Sequence, residues 1–177
     1  MNSKILITYA SQGGSTAGVA SAIGQTLAST GAEVIVLPVK EVTNLDSYQA
    51  IVIGSAVHSG KWMPEALVFI QQHQNSLRRI PTAIFQVCLM LAANNEQYKT
   101  FVPDWLTPVR SQIRPAAEGS FAGALWPDQY SKFTEKLGLR IFLATIKLKA
   151  GDYRDWDEIQ KWSEKVSALL LPKGIYG

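Results

Sequence analysis

Four short runs of aliphatic and β-branched residues constrain this chain more than anything else in it: Lys4 to Tyr9, Glu33 to Val39, Ala50 to Ser55 and Thr82 to Cys88. Each is apolar over most of its length rather than at alternate positions, which is the pattern of a strand covered on both faces. Between the first two, Val19, Ile23 and Leu27 recur every fourth residue within Ser15 to Thr30, and Gly31 follows as a stop, so an amphipathic helix is predicted there. Met63 to Gln74 repeats the pattern, with Leu67 and Ile70 on one face and Pro64 in the first turn, where its missing N–H costs nothing. Asn95 to Ile113 has a helical composition but carries Pro103 and Pro108, which predicts a broken helix. A fifth strand is predicted around Ser120 to Leu125. Strands alternating with helices in this way imply right-handed crossovers: an α/β, doubly wound, five-stranded parallel sheet in the order 2-1-3-4-5. Strands one and three then depart in opposite directions, and the crevice at their C-terminal ends is where such folds bind ligands.

With 177 residues and 47% hydrophobic content, one domain spanning 1–177 is the expectation. A single cysteine, Cys88, and two histidines, His58 and His73, exclude a disulfide framework and a Cys/His zinc cluster. No metal site is expected, and a reducing cytoplasm is the expected compartment. The opening residues, broken early by Ser11, Gly13 and Gly14, do not read as a signal peptide, and no stretch reaches the ~20 apolar residues of a membrane span. A formal charge of +3 without an aromatic-rich basic patch argues against nucleic acid as a partner.

The strongest chemical signal lies between the first strand and the first helix, at Ser11-Gln12-Gly13-Gly14-Ser15-Thr16. Glycines let the backbone turn back tightly, hydroxyls add donors, and the helix start supplies positive potential, which together suit a phosphate. A plain βα turn with Ser15 as the N-cap is the other reading of these residues. No Gly-Lys-Ser/Thr ending and no G-x-G-x-x-G is present, so neither a triphosphate loop nor a dinucleotide fingerprint is formed.

This loop resembles the phosphate loop of the flavodoxin superfamily, Thr/Ser-x-Thr-Gly-x-Thr, with Ser11, Gly14, Ser15 and Thr16 in matching places and Gly13 replacing the usual hydroxyl residue. Gly54-Ser55-Ala56-Val57-His58-Ser59-Gly60-Lys61-Trp62, after the third strand, resembles the superfamily's flavin-contacting loop. The resemblance implies FMN as cofactor, with Ser55, Ala56, Val57, His58 and Gly60 beside the ring, Trp62 covering it and His58 as a weak catalytic candidate. Packing of Trp62 under the next helix and a solvated His58 are the alternatives. Val87, Cys88 and Leu89, after the fourth strand, would approach the opposite edge of the flavin. Cys88 itself reads as a small buried hydrophobe rather than a reactive thiol. Those three residues, together with Phe121-Ala122-Gly123-Ala124-Leu125 and Asp155-Trp156, are similar to the menaquinone-dependent protoporphyrinogen oxidase branch of the superfamily.

Two functions follow from the resemblance. One is an FMN-dependent oxidoreductase passing electrons from an organic donor to a quinone or another small redox partner. The other is a flavodoxin-type carrier with no substrate of its own. Such carriers tend to be acidic, and this chain is basic, which favours the enzyme. A phosphoacceptor receiver domain would need clustered aspartates, and the first strand ends in none.

The tail has its own character. From Ser131 to Lys149 five basic residues accompany one glutamate, a net +4, and Phe133, Leu137, Ile141 and Leu148 lie near one helical face. One reading buries Phe133, Leu137 and Ile141 against the sheet or the terminal helix; the other docks a basic amphipathic helix peripherally on the inner membrane face. Asp155 and Glu158 read as a capping box ahead of a terminal helix, Trp156 to Leu170. The residues leave homo-oligomerisation open.

Overall fold

The computed structural model describes residues 3–93, 95–126 and 133–171, without the side chains of residues 133 and 135. Its centre is a parallel sheet of β1 (Lys4–Ala10), β2 (Glu33–Pro38), β3 (Ala50–His58), β5 (Thr82–Cys88) and β6 (Ala117–Ala122), in the order β2-β1-β3-β5-β6. Among the parallel strands alone this is 2-1-3-4-5. β4 (Lys61–Trp62) is a short antiparallel return on the end of β3, pairing Val57 with Trp62 and His58 with Lys61.

Strand alternation divides the core in two. Ile5, Ile7, Val52, Phe85 and Phe121 face one side, where α1 (Ser15–Ala28) contributes Val19, Ile23 and Leu27, and α6 (Trp156–Leu170) contributes Ile159 and Val166. Leu6, Ile51, Ile53 and Ile84 face the other, against Phe69, Ile70 and Leu77 of α2 (Pro64–Leu77) and Val109 and Ile113 of α4 (Thr107–Ile113). Both faces are covered, which is why these strands read as continuous apolar runs. At Gly54 the middle of the sheet has no room for a side chain, because a Cβ there would collide with the Phe85 ring.

The region after β5 is broken as its prolines require: α3 (Glu96–Phe101), a 3-10 turn (Val102–Leu106) with Pro103 in it, then α4 with Pro108 in its first turn. The fifth parallel strand corrects the sequence reading. It runs Ala117–Ala122, pairing Ala83 with Ala117 and Cys88 with Ala122, and does not extend to Leu125. Residues 124 and 125 form β7 (Ala124–Leu125), which pairs antiparallel with β8 (Gly151–Asp152). The chain therefore leaves the sheet after β6, passes through α5 (Phe133–Thr145), and returns at β8 before α6. Asp155 accepts a hydrogen bond from the Glu158 N–H at 2.9 Å, the predicted N-cap of α6.

Candidate functional site

The loop after β1 reaches α1 through Gly14, whose φ of +77° a side chain would strain and whose position is the helix N-cap. Ser15 is the first helical residue and not the cap. Its Oγ accepts a 2.8 Å hydrogen bond from the Ala124 N–H, tying the loop to β7 across 109 residues of sequence. Among the described residues no side chain caps α1, which leaves the amides of its first turn at the positive end of the helix dipole without a side-chain acceptor. Beside them, the hydroxyls of Ser11 and Thr16 are buried and have no hydrogen-bond partner among the described residues. An unpaired buried hydroxyl costs about 1–3 kcal/mol. Two of them at an uncapped helix start make a socket for an oxyanion.

β3 runs on past the sheet and turns at Ser59 (φ +51°) and Gly60 (φ +73°), the pair of left-handed residues a two-residue hairpin demands. Ala56, Val57, His58, Ser59 and Gly60 form one wall of a cavity of about 470 Å³ that begins at the phosphate-type loop. Ser11, Gln12, Gly13, Ser15 and Thr16 form its floor, and Val87, Cys88, Leu89 and Met90 its side at the end of β5. Gly14 shapes the loop without lining the cavity. Burial pushes the Cys88 thiol up, against a smaller opposing pull from the backbone at Met90 and Leu91, so at neutral pH it is an inert protonated group.

Two expected positions are corrected. Trp62 does not face the cavity: it is 3% exposed in the core on the α2 side, and its Nε1 donates to Gln86 Oε1 at 3.2 Å. The antiparallel return at β4 places alternate side chains on opposite faces, and this one points inward. Ser55 is buried and spent on structure, donating from Oγ to the Ala56 carbonyl and accepting from the Met63 N–H at the start of α2. The aromatic at the cavity wall is instead Trp105, whose indole crosses the hairpin tip so closely that a Cβ on Gly60 would lie 3.2 Å from it. Nothing in the local sequence around Trp105 marks it, since it comes from the 3-10 turn after α3.

The roof was also unforeseen. Gly138, Leu139 and Phe142 of α5 line the cavity, with Gly123, Ala124 and Leu125 beneath them. Leu137 and Ile141 face outward, 48% and 60% exposed, which overturns their expected burial against the sheet or α6. Ser131, Lys132 and the Phe133 side chain lie outside the described residues. Behind β8, Arg154 donates twice to Asp152 (2.8 and 2.5 Å), stacks over Trp156 with its guanidinium carbon 4.4 Å from the ring centroid, and lies against Gly18, tying this return segment to α1 and the start of α6. Arg154 holds the Asp152 carboxyl below the usual carboxylate range.

Among the described residues the cavity lining includes no Asp, Glu, Lys or Arg. Among the described residues, hydroxyl and amide dipoles are therefore what the cavity offers an anion. Along residues 6–152 the chain matches the family described as the flavodoxin domain.

The chain belongs to the flavodoxin-domain family.

A protoporphyrinogen IX dehydrogenase [quinone] of Leishmania major is 26% identical over 95% of this chain and 76% of its own length. The protein of the same description from Escherichia coli (strain K12) is 25% identical over 94% of this chain and 96% of its own. Among solved structures, a short-chain flavodoxin associated with a bacterial microcompartment superposes with a TM-score of 0.57 at 11% identity, covering 93% of this chain and 96% of that one. A Streptococcus flavodoxin superposes with a TM-score of 0.55 at 12% identity, covering 97% and 100%. These superpositions agree with the strand order described above. As a flavodoxin domain the chain takes FMN. The orphaned hydroxyls of Ser11 and Thr16 suit its phosphate, and the mainly apolar walls suit its ring.

Proposed function

We propose that this flavodoxin domain is an FMN-dependent oxidoreductase of the protoporphyrinogen oxidase type, passing electrons from a bulky organic donor to a quinone. The observation that carries the reading is the roof: α5 brings Leu139 and Phe142 over the cavity, while Trp105 stands at its hairpin wall. This cavity is the one that takes FMN, so these apolar side chains stand over the cofactor, and an apolar surface beside a bound ring suits a donor with a large apolar ring system. The relatives from Leishmania and E. coli, described as protoporphyrinogen IX dehydrogenases, support the same choice.

In this reading Ser11 and Thr16 donate their hydroxyl protons to the FMN phosphate, and the amides of Gln12, Gly13, Gly14 and Ser15 complete the anion site at the start of α1. Ala56, Val57 and Gly60 present backbone groups to one edge of the ring, and Val87, Cys88 and Leu89 present a dry surface to the other. FMN supplies the redox chemistry, accepting and returning two electrons with their protons. The protein excludes water, orients the partner and tunes the potential. His58, exposed and in the cavity lining, would exchange a proton with an arriving substrate in this reading.

Anaerobic mixing tests the proposal. Protoporphyrinogen IX should bleach the flavin spectrum of the holoprotein, and menadione should restore it within the same experiment. Reduction only by a flavoprotein reductase, with no response to either small molecule, would make the chain an electron carrier.

A further inference from the structure

The wall formed by Trp105 continues outside the cavity as an aromatic row. Phe101 lies 5.6 Å from Trp105 between ring centroids, at 60°, and Tyr98 lies 5.6 Å from Phe101, at 76°. Tyr98, Phe101 and Trp105 are spaced three and four apart, so α3 and the turn that follows carry them along one face. Phe101 is 36% exposed, an unusual position for a phenylalanine with two aromatic neighbours and a cavity nearby. The charges on the same segment are Lys99, engaged by Glu96 at 2.8 Å, and the exposed carboxylate of Asp104. The aromatic row itself is neutral and offers a flat, neutral ring apolar and quadrupolar contact.

We infer that Tyr98, Phe101 and Trp105 form the docking strip for the quinone acceptor, guiding its ring from solvent to the cavity. Each aromatic face carries the negative side of the ring's quadrupole, and because neighbouring rings are inclined at 60° and 76° a flat guest meets one ring face at a time. A quinone ring is electron-poor because its carbonyls withdraw density, so stacking on this strip is electrostatically favourable as well as apolar. Beside the cofactor the quinone takes two electrons and two protons from reduced FMN, leaving hydroquinone and oxidised FMN. The inference rests on the reading of the cavity as the FMN site. Phe101 and Tyr98 stand outside the cavity lining, so changing them tests the strip without touching that site.

The experiment compares wild type with Phe101→Ala, Tyr98→Ala and Phe101→Tyr as holoproteins. Each loss of a stacked ring should raise the menadione KM about threefold to tenfold while kcat stays within about twofold. The menadione Kd, read from quenching of tryptophan fluorescence, should rise in parallel. Phe101→Tyr should behave as wild type. FMN affinity and the rate of oxidation by ferricyanide, which needs no ring site, should be unchanged in all variants. If wild type turns over menadione and the alanine variants share its KM and Kd, the docking strip is refuted while the cavity reading survives. A wild type that binds no FMN overturns both, and one that binds FMN but never reduces menadione overturns the docking strip while the cavity reading survives.

Discussion

Replacing Thr16 by valine separates folding from binding at the phosphate loop, because the two respond with opposite signs. Thr16 is fully buried, and its hydroxyl has no partner among the described residues. Valine keeps the shape and has a similar helix propensity, so in the apoprotein the change relieves part of an orphan penalty of about 1–3 kcal/mol. A gain near 1 kcal/mol should raise the apoprotein Tm by about 2–4 °C. With FMN, the variant loses a hydrogen bond to a charged phosphate, about 1.5–3 kcal/mol, or roughly 10- to 150-fold in Kd. At FMN about 100 times the wild-type Kd, wild type gains ~2.7 kcal/mol from binding, whereas a variant with hundredfold weaker affinity gains only ~0.4 kcal/mol. The order of stabilities should therefore invert on adding FMN. Differential scanning calorimetry with and without FMN, alongside fluorescence titration, reads both effects. Thr8 is the control: its hydroxyl is also unpaired, but it lies within β1 between Leu37 and Ile53, so Thr8→Val should stabilise the apoprotein and leave FMN affinity alone. An apoprotein weakened by Thr16→Val, or an unchanged FMN Kd, would refute the reasoning.

The Arg154 clamp has a pH signature. Arg154 depresses the Asp152 carboxyl in the folded protein, so its contribution is fully present above the ordinary aspartate value and is lost as pH falls through the lowered folded value. The Tm gap between wild type and Asp152→Asn should be constant near neutrality and shrink on acidification below the usual carboxylate range; a gap independent of pH removes the ion pair as its cause. The outer face of α5, with Leu137 and Ile141 exposed on a helix that also carries Lys136 and Arg140, should bind vesicles. Co-sedimentation should increase with anionic lipid, decrease with salt, and fall when Lys136, Arg140 and Lys147 become Gln; indifference to all three would leave α5 as a roof alone.

The strands, the two flanking helix layers and the phosphate-type loop were legible in the sequence because each is encoded by contiguous residues. Apolar runs such as Ala50 to Ser55 and the four-residue recurrence of Val19, Ile23 and Leu27 record burial along a single element, whatever lies across from it. The start of the fifth parallel strand was not legible, since Ala117, Glu118 and Gly119 are poor strand formers and extend only because β5 pairs with them. Tertiary structure alone chose Trp105 over Trp62 for the cavity wall: Trp62 sits on the short return β4 and donates to Gln86 in the core, while Trp105 of the 3-10 turn lies against the left-handed turn at Gly60. It likewise brought Leu139 and Phe142 to the cavity lining, buried Leu143 and left Leu137 and Ile141 exposed, on a helix whose apolar residues exceed one stripe. Periodicity along a chain states that a side chain is apolar, but where the chain returns after α5 rests on the pairing of Ala124 with Asp152 and on the contact of Arg154 with Gly18 of α1, contacts between segments that no local pattern brings together.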